Sequence, residues 1–477
     1  MTGTININSD IKHVITDQQA WHYHIIPKEI SPLLGIFYID KEFYTPSVVE
    51  ELELAFNYPV QVELTESDII KETLNRLYRK PDTQEGHTAQ SISNIKSDDF
   101  LNRLIQEAKE MHSSDIHIET YEELCRVRFR IDGKLLEKYR LEKETYPSLV
   151  NKIKIKGNID IAEKRLPQDG RILFENEDTK FDIRVSVLPT LSGEKIVLRL
   201  LSKDSANIDI EKLGFTTSQL ELFKENIKKT HGIILISGPT GSGKTTTLYA
   251  TLKILNKIDS NVLTIEDPVE YTLAGINQVQ LREDIGLTFA KALRTFLRQD
   301  PDIIMLGEIR DDETAQMAIR AALTGHLVLS TIHTNSAWGI ISRLADMGIP
   351  AFLLADTINL CVAQRLIRLL CPHCKKKTYF DKSRLPKKFI VNTYPDYHYA
   401  AQGCEQCYYT GYKGRKAIYE VIPIDNDLSE KIKNNSYDIE NWKKEQGISS
   451  LAETAYQELM NGNTSLEEIY PILLNSI

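Results

Sequence analysis

The 477-residue sequence predicts an α/β protein built mainly on a parallel sheet, and three observations carry that reading. Four short apolar runs, GIILIS (232–237), NVLTIED (261–267), DIIMLG (302–307) and HLVLSTIH (326–333), have the length and composition of buried strands. Helix-forming stretches such as KTTTLYATLKILNKI (244–258) and DETAQMAIRAAL (312–323) separate them, which is the order of βαβ units. Residues 98–203 instead alternate apolar and polar positions in SDIHIET, RVRFRIDG and KFDIRVSVLPT, the pattern of half-buried strands in a separate α+β domain.

Taken in order, residues 1–78 form a small N-terminal α/β domain. TPSVVEELELAFNYP has helical spacing, PVQVEL is a short strand, and TESDIIKETLNRLYRK is an amphipathic helix with Ser67 as its expected cap. Residues 79–97 are polar and poor in large apolar side chains, so a linker is expected there. DDFLNRLIQEAKEM then opens the 98–203 domain as a helix. The α/β part spans 204–477. Two cysteine pairs interrupt it within 369–421, and a charged, helical part follows at 422–477.

The chain is too long for one core, and with 42% apolar and 26% charged residues most of it should be globular. Lys and Arg number 58 against 67 Asp and Glu, a net charge of -9, which argues against a protein dominated by nonspecific nucleic-acid binding. No apolar run approaches bilayer-spanning length, and the opening residues lack the basic-then-apolar pattern of a signal peptide. A cytoplasmic protein that meets any membrane through partners is the expectation.

GPTGSGKTT, residues 238–246, matches G-x-x-x-x-G-K-[ST] at every fixed position, with an apolar strand before it and a helical run after it. Gly238, Gly241 and Gly243, with Pro239, Thr240 and Ser242 between them, let the backbone curl so that amides point at phosphate oxygens. The helix opening at Lys244 adds the positive end of its dipole. The Lys244 ammonium suits the β- and γ-phosphates of ATP, and the Thr245 hydroxyl, followed by Thr246, suits Mg2+. IIMLGEIRD (303–311) poses a question, because glycine stands where an acid usually closes the second strand of such a hydrolase and Glu308 comes one step later.

Of six cysteines, Cys125 and Cys361 sit alone in apolar surroundings. Cys371, Cys374, Cys404 and Cys407 form two C-x-x-C pairs with 29 residues between them. Two such turns supply a tetrahedral four-thiolate site suited to structural zinc, with redox chemistry as the runner-up.

These motifs, together with RLPQDGRI (165–172), IRVSVLPTLSGEKIVLRLL (183–201), LTIEDPVEY (263–271), LRQDPDIIMLGEIRD (297–311) and GHLVLSTIHTNSA (325–337), resemble the secretion ATPase superfamily. The nearest branch is that of the type II secretion ATPases, with the type IV pilus extension ATPases almost as near. The resemblance runs from about 98 to 421. It implies a RecA-like P-loop ATPase core preceded by a PAS-like α+β domain that closes over the nucleotide, and a tetracysteine zinc module.

Within that resemblance the strand before the catalytic glutamate normally ends in glycine, so Glu308 takes the place that orients the attacking water. Glu266 is cast as a second acid near magnesium and the γ-phosphate. Asp267 is either part of that acidic group or the cap of a turn closed by Pro268. His333 is cast as a γ-phosphate sensor or interface residue, against the plainer reading of a satisfied strand-end histidine, which is preferred for His326. Arg184 and Arg199 are assigned to the nucleotide phosphates upon domain closure, while Arg294, Arg298 and Arg310 match arginines near the site or a subunit boundary. A homo-hexamer is implied. So are an inner-membrane platform protein and a membrane-anchored recruitment protein that binds residues 1–78, which would bring the chain peripherally to the bacterial inner membrane. The zinc quartet counts against a pilus retraction motor. The acidic balance and the quartet count against a DNA-transfer or uptake ATPase, and no direct nucleic-acid contact is expected. Intact Lys244, Thr245, Glu266 and Glu308 oppose a regulator that binds nucleotide without hydrolysing it.

Overall fold

The computed structural model describes residues 5, 14–15, 17–31, 34–56, 59–78, 90–92, 97–175, 180–201, 209–387, 389–391, 393–436 and 438–474. The chain divides into two compact units, Met1–Thr88 and Ala89–Ile477.

In the first unit, α1 (Asp17–His22), β1 (Ile25–Ser31), β2 (Leu34–Asp40), α2 (Pro46–Phe56), β3 (Val60–Thr65) and α3 (Ser67–Leu77) build a three-stranded sheet in the order β1-β2-β3. The helix α3 begins at Ser67, yet Ser67 is not its cap. Glu66 holds that position without a side-chain bond, and the Ser67 hydroxyl donates instead to the buried carboxylate of Asp40. A tertiary partner has taken the group that local reasoning assigned to the helix end.

The second unit contains two seven-stranded sheets. The first is made of β4 (Gln90–Ile92), β5 (Asp115–Thr120), β6 (Cys125–Ile131), β7 (Lys134–Leu141), β8 (Gln168–Glu175), β9 (Lys180–Thr190) and β10 (Gly193–Leu201). Its order is β4-β7-β6-β5-β10-β9-β8, antiparallel except for β4 beside β7. Gln90–Ile92 lies in the stretch expected as a linker and Ser97, its last residue, already opens the next helix, so that expectation fails for these four residues. Residues 79–89 and 93–96 of the same stretch lie outside the described residues. The helices α4 (Ser97–Glu110) and α5 (Tyr146–Lys156) pack on one face, where Ile116, Ile118, Val127 and Phe129 meet Leu101, Leu104 and Ile153. The other face carries charge. Burial alone would raise the Glu119 carboxyl, but hydrogen bonds from Arg128, Lys195 and Arg126 outweigh it and hold the group at about 2.

The second large sheet uses β11 (Gly232–Ser237), β12 (Val262–Glu266), β13 (Asn277–Gln280), β14 (Ile303–Leu306), β15 (Leu327–Ile332), β16 (Ile358–Leu370) and, past the short hairpin β17 (Lys376–Tyr379) and β18 (Tyr397–Ala400), β19 (Tyr412–Pro423). Its order is β13-β12-β14-β15-β11-β16-β19, parallel except for the antiparallel pair β16–β19. Both faces are covered. Ile233, Leu235, Ile304 and Leu306 join one core with α8 (Phe289–Phe296), α9 (Asp312–Leu323), α10 (Gly339–Asp346), α11 (Ala351–Thr357) and the C-terminal helices α12 (Asn426–Lys433) to α15 (Leu466–Leu474). Ile234, Ile236, Ile303 and Met305 join the opposite core with α6 (Thr217–Asn226) and α7 (Lys244–Leu255). Burial on both faces explains why these strands read as mainly apolar runs with no alternation. Between α12 and the last pair, α13 (Glu440–Glu445) precedes α14 (Leu451–Met460).

Candidate nucleotide site and four-thiolate centre

The strand β11 ends at Ser237 and the chain turns through 238–243 into α7. Gly238, Gly241 and Gly243 take φ values of 151°, 79° and 88°, a backbone that L side chains rarely adopt. A Cβ at Gly238 would stand 2.5 Å from the Gln364 carbonyl, whereas one at Gly241 would meet nothing within 4 Å. Gly243 caps α7 without a side-chain bond, so the first amides of the helix keep their donors for an anion. The Lys244 amine donates to the carbonyls of Gly238 (2.8 Å) and Pro239 (3.1 Å). Burial pulls its pKa down, the Glu308 charge pushes back, and Arg365 adds to the fall. Thr245 and Thr240 are exposed beside it.

Glycine at 307 has a steric reason. Gly307 leaves β14 against β12. A Cβ there would lie 3.3 Å from the Glu266 Cα and 3.4 Å from the Ile265 carbonyl, both backbone atoms. The close approach is sealed by Gly307 N–H to Ile265 O (2.8 Å) and by the Thr331 hydroxyl to Gly307 O (2.8 Å). Glu308 therefore emerges one residue later, clear of the sheet, where His333 Nε2 lies 3.2 Å from its carboxylate and Arg310 forms an ion pair with it. Arg310 also reaches Asp267 at 3.5 Å. These acids, His333 and Lys244 all stand at the C-terminal edge of the parallel strands, the edge at which such sheets bind ligands.

Glu266 is brought to the same edge but is 3% exposed and already bound. The Tyr249 hydroxyl, the Thr264 hydroxyl (2.6 Å) and the Gln278 amide (3.1 Å) all donate to it. Arg184, Arg199 and Arg171 face one another in register across β9, β10 and β8. Of these, Arg184 reaches the acidic loop, pairing with Glu270 (3.2 Å) and donating to Val269 O. Arg199 is held within its own sheet by Asp115 at 3.0 Å. Arg294 pairs with Glu313 (2.7 Å), and Arg298 donates to the Arg294 carbonyl (2.9 Å). His326 is satisfied at the opposite end of β15, beside Ala321 O (2.9 Å) and the Thr324 hydroxyl (3.1 Å).

Several residues that shape the loop escaped the sequence reading. Gln364 on β16 donates to Ser242 O (2.8 Å) and accepts from the Thr247 hydroxyl (2.9 Å), which also meets the Tyr419 hydroxyl. Arg365 donates to Gln364 O and Asn335 O (both 2.9 Å), fastening the segment after His333 beside the phosphate loop. The signal was present as two adjacent polar residues inside the apolar run LCVAQRLI.

At the far end of β16, the Sγ atoms of Cys371, Cys374, Cys404 and Cys407 lie within 4.8 Å of one another. Three of their separations are 3.8–3.9 Å. Four sulfurs about 2.3 Å from a central ion sit about 3.8 Å apart, so the set fits a tetrahedral metal. Amides of Gly403 (3.3 Å), Cys404 (3.2 Å) and Gly411 (3.3 Å) donate to these sulfurs, as thiolates require.

A curled glycine loop between an interior strand of a two-sided, mainly parallel sheet and a helix without a side-chain cap defines a phosphate-loop nucleotide-binding protein. The chain belongs to the Type II/IV secretion system protein family, whose pattern matches residues 91–471. It is 42% identical to the type IV pilus assembly ATPase PilB of Myxococcus xanthus, covering 97% of this chain and 87% of that protein. It is 45% identical to the type II secretion system protein E of Pseudomonas aeruginosa over 78% of this chain and 74% of that one. The crystal structure of the pilus retraction motor PilT with bound ADP aligns with TM-score 0.53 and 28% identity, covering 78% of this chain and 96% of PilT. The ATPase DotB of Legionella pneumophila shares the fold at TM-score 0.58 and 21% identity, over 81% of this chain and 99% of DotB.

Proposed function

We propose that the protein is an ATP-hydrolysing motor of type II protein secretion, in which turnover drives assembly of a pseudopilus. The observation that carries the reading is Glu308, displaced past Gly307 and steered by His333 and Arg310 to the edge where the phosphate loop opens. In this reading the core is RecA-like. Lys244 would exchange its loop carbonyls for phosphate oxygens, Thr245 would hold Mg2+, and Glu308 would orient the attacking water. Bound magnesium would neutralise charge developing on the phosphates. The PAS-like 98–203 domain swings as Arg184 and Arg199 gain or lose the γ-phosphate. The four cysteines would hold zinc at the end of the β16–β19 pair, as a structural ion with all four ligands supplied by the chain. A homo-hexamer acts on an inner-membrane platform protein, with residues 1–78 docking on a membrane-anchored partner. Among the described residues no helix is long and apolar enough to cross a membrane, which suits recruitment by partners.

The experiment is Glu308→Gln in the full chain. Hydrolysis should fall by about 10²-fold or more, the scale on which a positioned acid or base contributes, while a fluorescent ADP analogue binds as before. Unchanged hydrolysis would remove Glu308 from the chemistry. A second reading, a type IV pilus extension ATPase, is favoured by the 97% coverage of the match to the Myxococcus protein, which includes the N-terminal unit. The inner-membrane protein that copurifies with the full chain, and is lost when residues 1–78 are altered, separates the two.

A further inference from the structure

The phosphate-loop helix and the arginine of the neighbouring sheet are joined by a single buried side chain. Tyr249 lies five residues after Lys244 on α7 and is 1% exposed. Its hydroxyl donates to the Glu266 carboxylate and accepts the Glu270 N–H at 3.3 Å. The same Glu270 holds Arg184 through its carboxylate at 3.2 Å, and the Val269 carbonyl takes a second Arg184 donor. Tyr271 packs edge-on against the Tyr249 ring at 4.5 Å and 84°, fixing its plane. Burial first, and the Glu266 charge with it, pushes the Tyr249 hydroxyl far above its ordinary value, so it remains a donor at any working pH.

We propose that Tyr249 is a positioning residue that makes the 266–270 loop follow α7, so that a change at the phosphate loop reaches Arg184 and the sheet that carries it. The inference rests on the ATP-hydrolase reading and deepens it. The helix begins with the groups that grip phosphate. A small shift of its first turns carries the Tyr249 oxygen along, and that oxygen is shared by Glu266 and the Glu270 amide. Glu266 keeps its Thr264 and Gln278 donors, so the pull falls chiefly on Glu270, whose amide loses its bond if the oxygen moves alone. Arg184 stands at the end of the chain, two bonds from Tyr249.

Tyr249→Phe in the full chain tests this, since the ring fits the same space and only the oxygen is lost. Loss of one hydrogen bond to a charged group should lower kcat about tenfold while KM and fluorescent-ADP affinity stay within about twofold. Arg184→Ala, once Tyr249→Phe is in place, should lower kcat far less than it does alone, because both changes cut one connection. Fully additive losses would overturn the proposal. Hydrogen exchange gives a readout that does not depend on turnover: the Glu270 amide should exchange at least tenfold faster in Tyr249→Phe, with global unfolding unchanged. Equal protection of 266–271 in the two proteins would overturn the proposal even in a chain that hydrolyses nothing. A wild-type chain without hydrolysis would sink the ATPase reading alone.

Discussion

Replacing Gln364 with leucine keeps the volume of the side chain and removes both of its hydrogen bonds. Gln364 is 1% exposed, so water cannot replace what is lost. Among the described residues its amide is the only side-chain donor to the Ser242 carbonyl, at 2.8 Å, and that carbonyl would be orphaned at a cost of about 1–3 kcal/mol. The Thr247 hydroxyl would lose its bond to Oε1 but keep the Tyr419 hydroxyl at 3.2 Å and the Gly243 carbonyl at 3.4 Å, so its share is about 1 kcal/mol at most. The total, roughly 1–4 kcal/mol, falls on the loop that has to keep its amides aimed at phosphate. A loop that relaxes to find Ser242 a new partner gives up that aim. If about 2 kcal/mol appears as weaker binding, ADP affinity drops about 30-fold. Titration of the full chain with fluorescent ADP measures the loss, and thermal unfolding without nucleotide measures the remainder. Affinity within twofold of wild type, together with an unchanged melting temperature, would refute the idea that β16 braces the loop.

Two further outcomes follow from the site. Gly307→Ala would press a methyl onto the β12 backbone at 3.3 Å, forcing the strands apart at about 1–3 kcal/mol and misplacing Glu308. Hydrolysis should fall about 10²-fold with ADP affinity nearly intact, and a normal rate in steady-state assays would show that the spacing is irrelevant. Cys404→Ser should abolish the metal content found by elemental analysis of purified chain. It should also loosen the β16–β19 end first, seen as faster hydrogen exchange at 370–376 and 404–412, and an unchanged metal content would exclude the four-thiolate centre.

How far the sequence was legible depended on where each residue's partners lie. The strands β11, β12, β14 and β15 were readable because both faces are covered, which leaves mostly apolar residues along them. The phosphate loop was readable because its needs are local, namely positive φ at glycines and a helix that starts at Lys244. Ser67 misled because its hydroxyl is taken by Asp40, 27 residues earlier, and no local rule sees that bond. Gln90–Ile92 misled because pairing with β7, not its own composition, makes it a strand.

The same distinction explains the acids. Glu308 was assigned through the resemblance alone; the steric reason for Gly307 before it lies in the β12 backbone, which comes near only when the strands pair. Glu266 was expected at the tip of a strand and ends β12, but its burial under Tyr249 and Gln278 depends on the helix before it and the strand after it. A polar residue inside an apolar strand is nonetheless a partial message. Gln364, Thr264 and Glu420 would each be costly in a core without a partner, so their positions state that a partner exists. Its identity is set by sheet order: β16 lies next to β11, which brings Gln364 under the phosphate loop more than a hundred residues away in the chain, and that neighbourhood exists only once the sheet has formed.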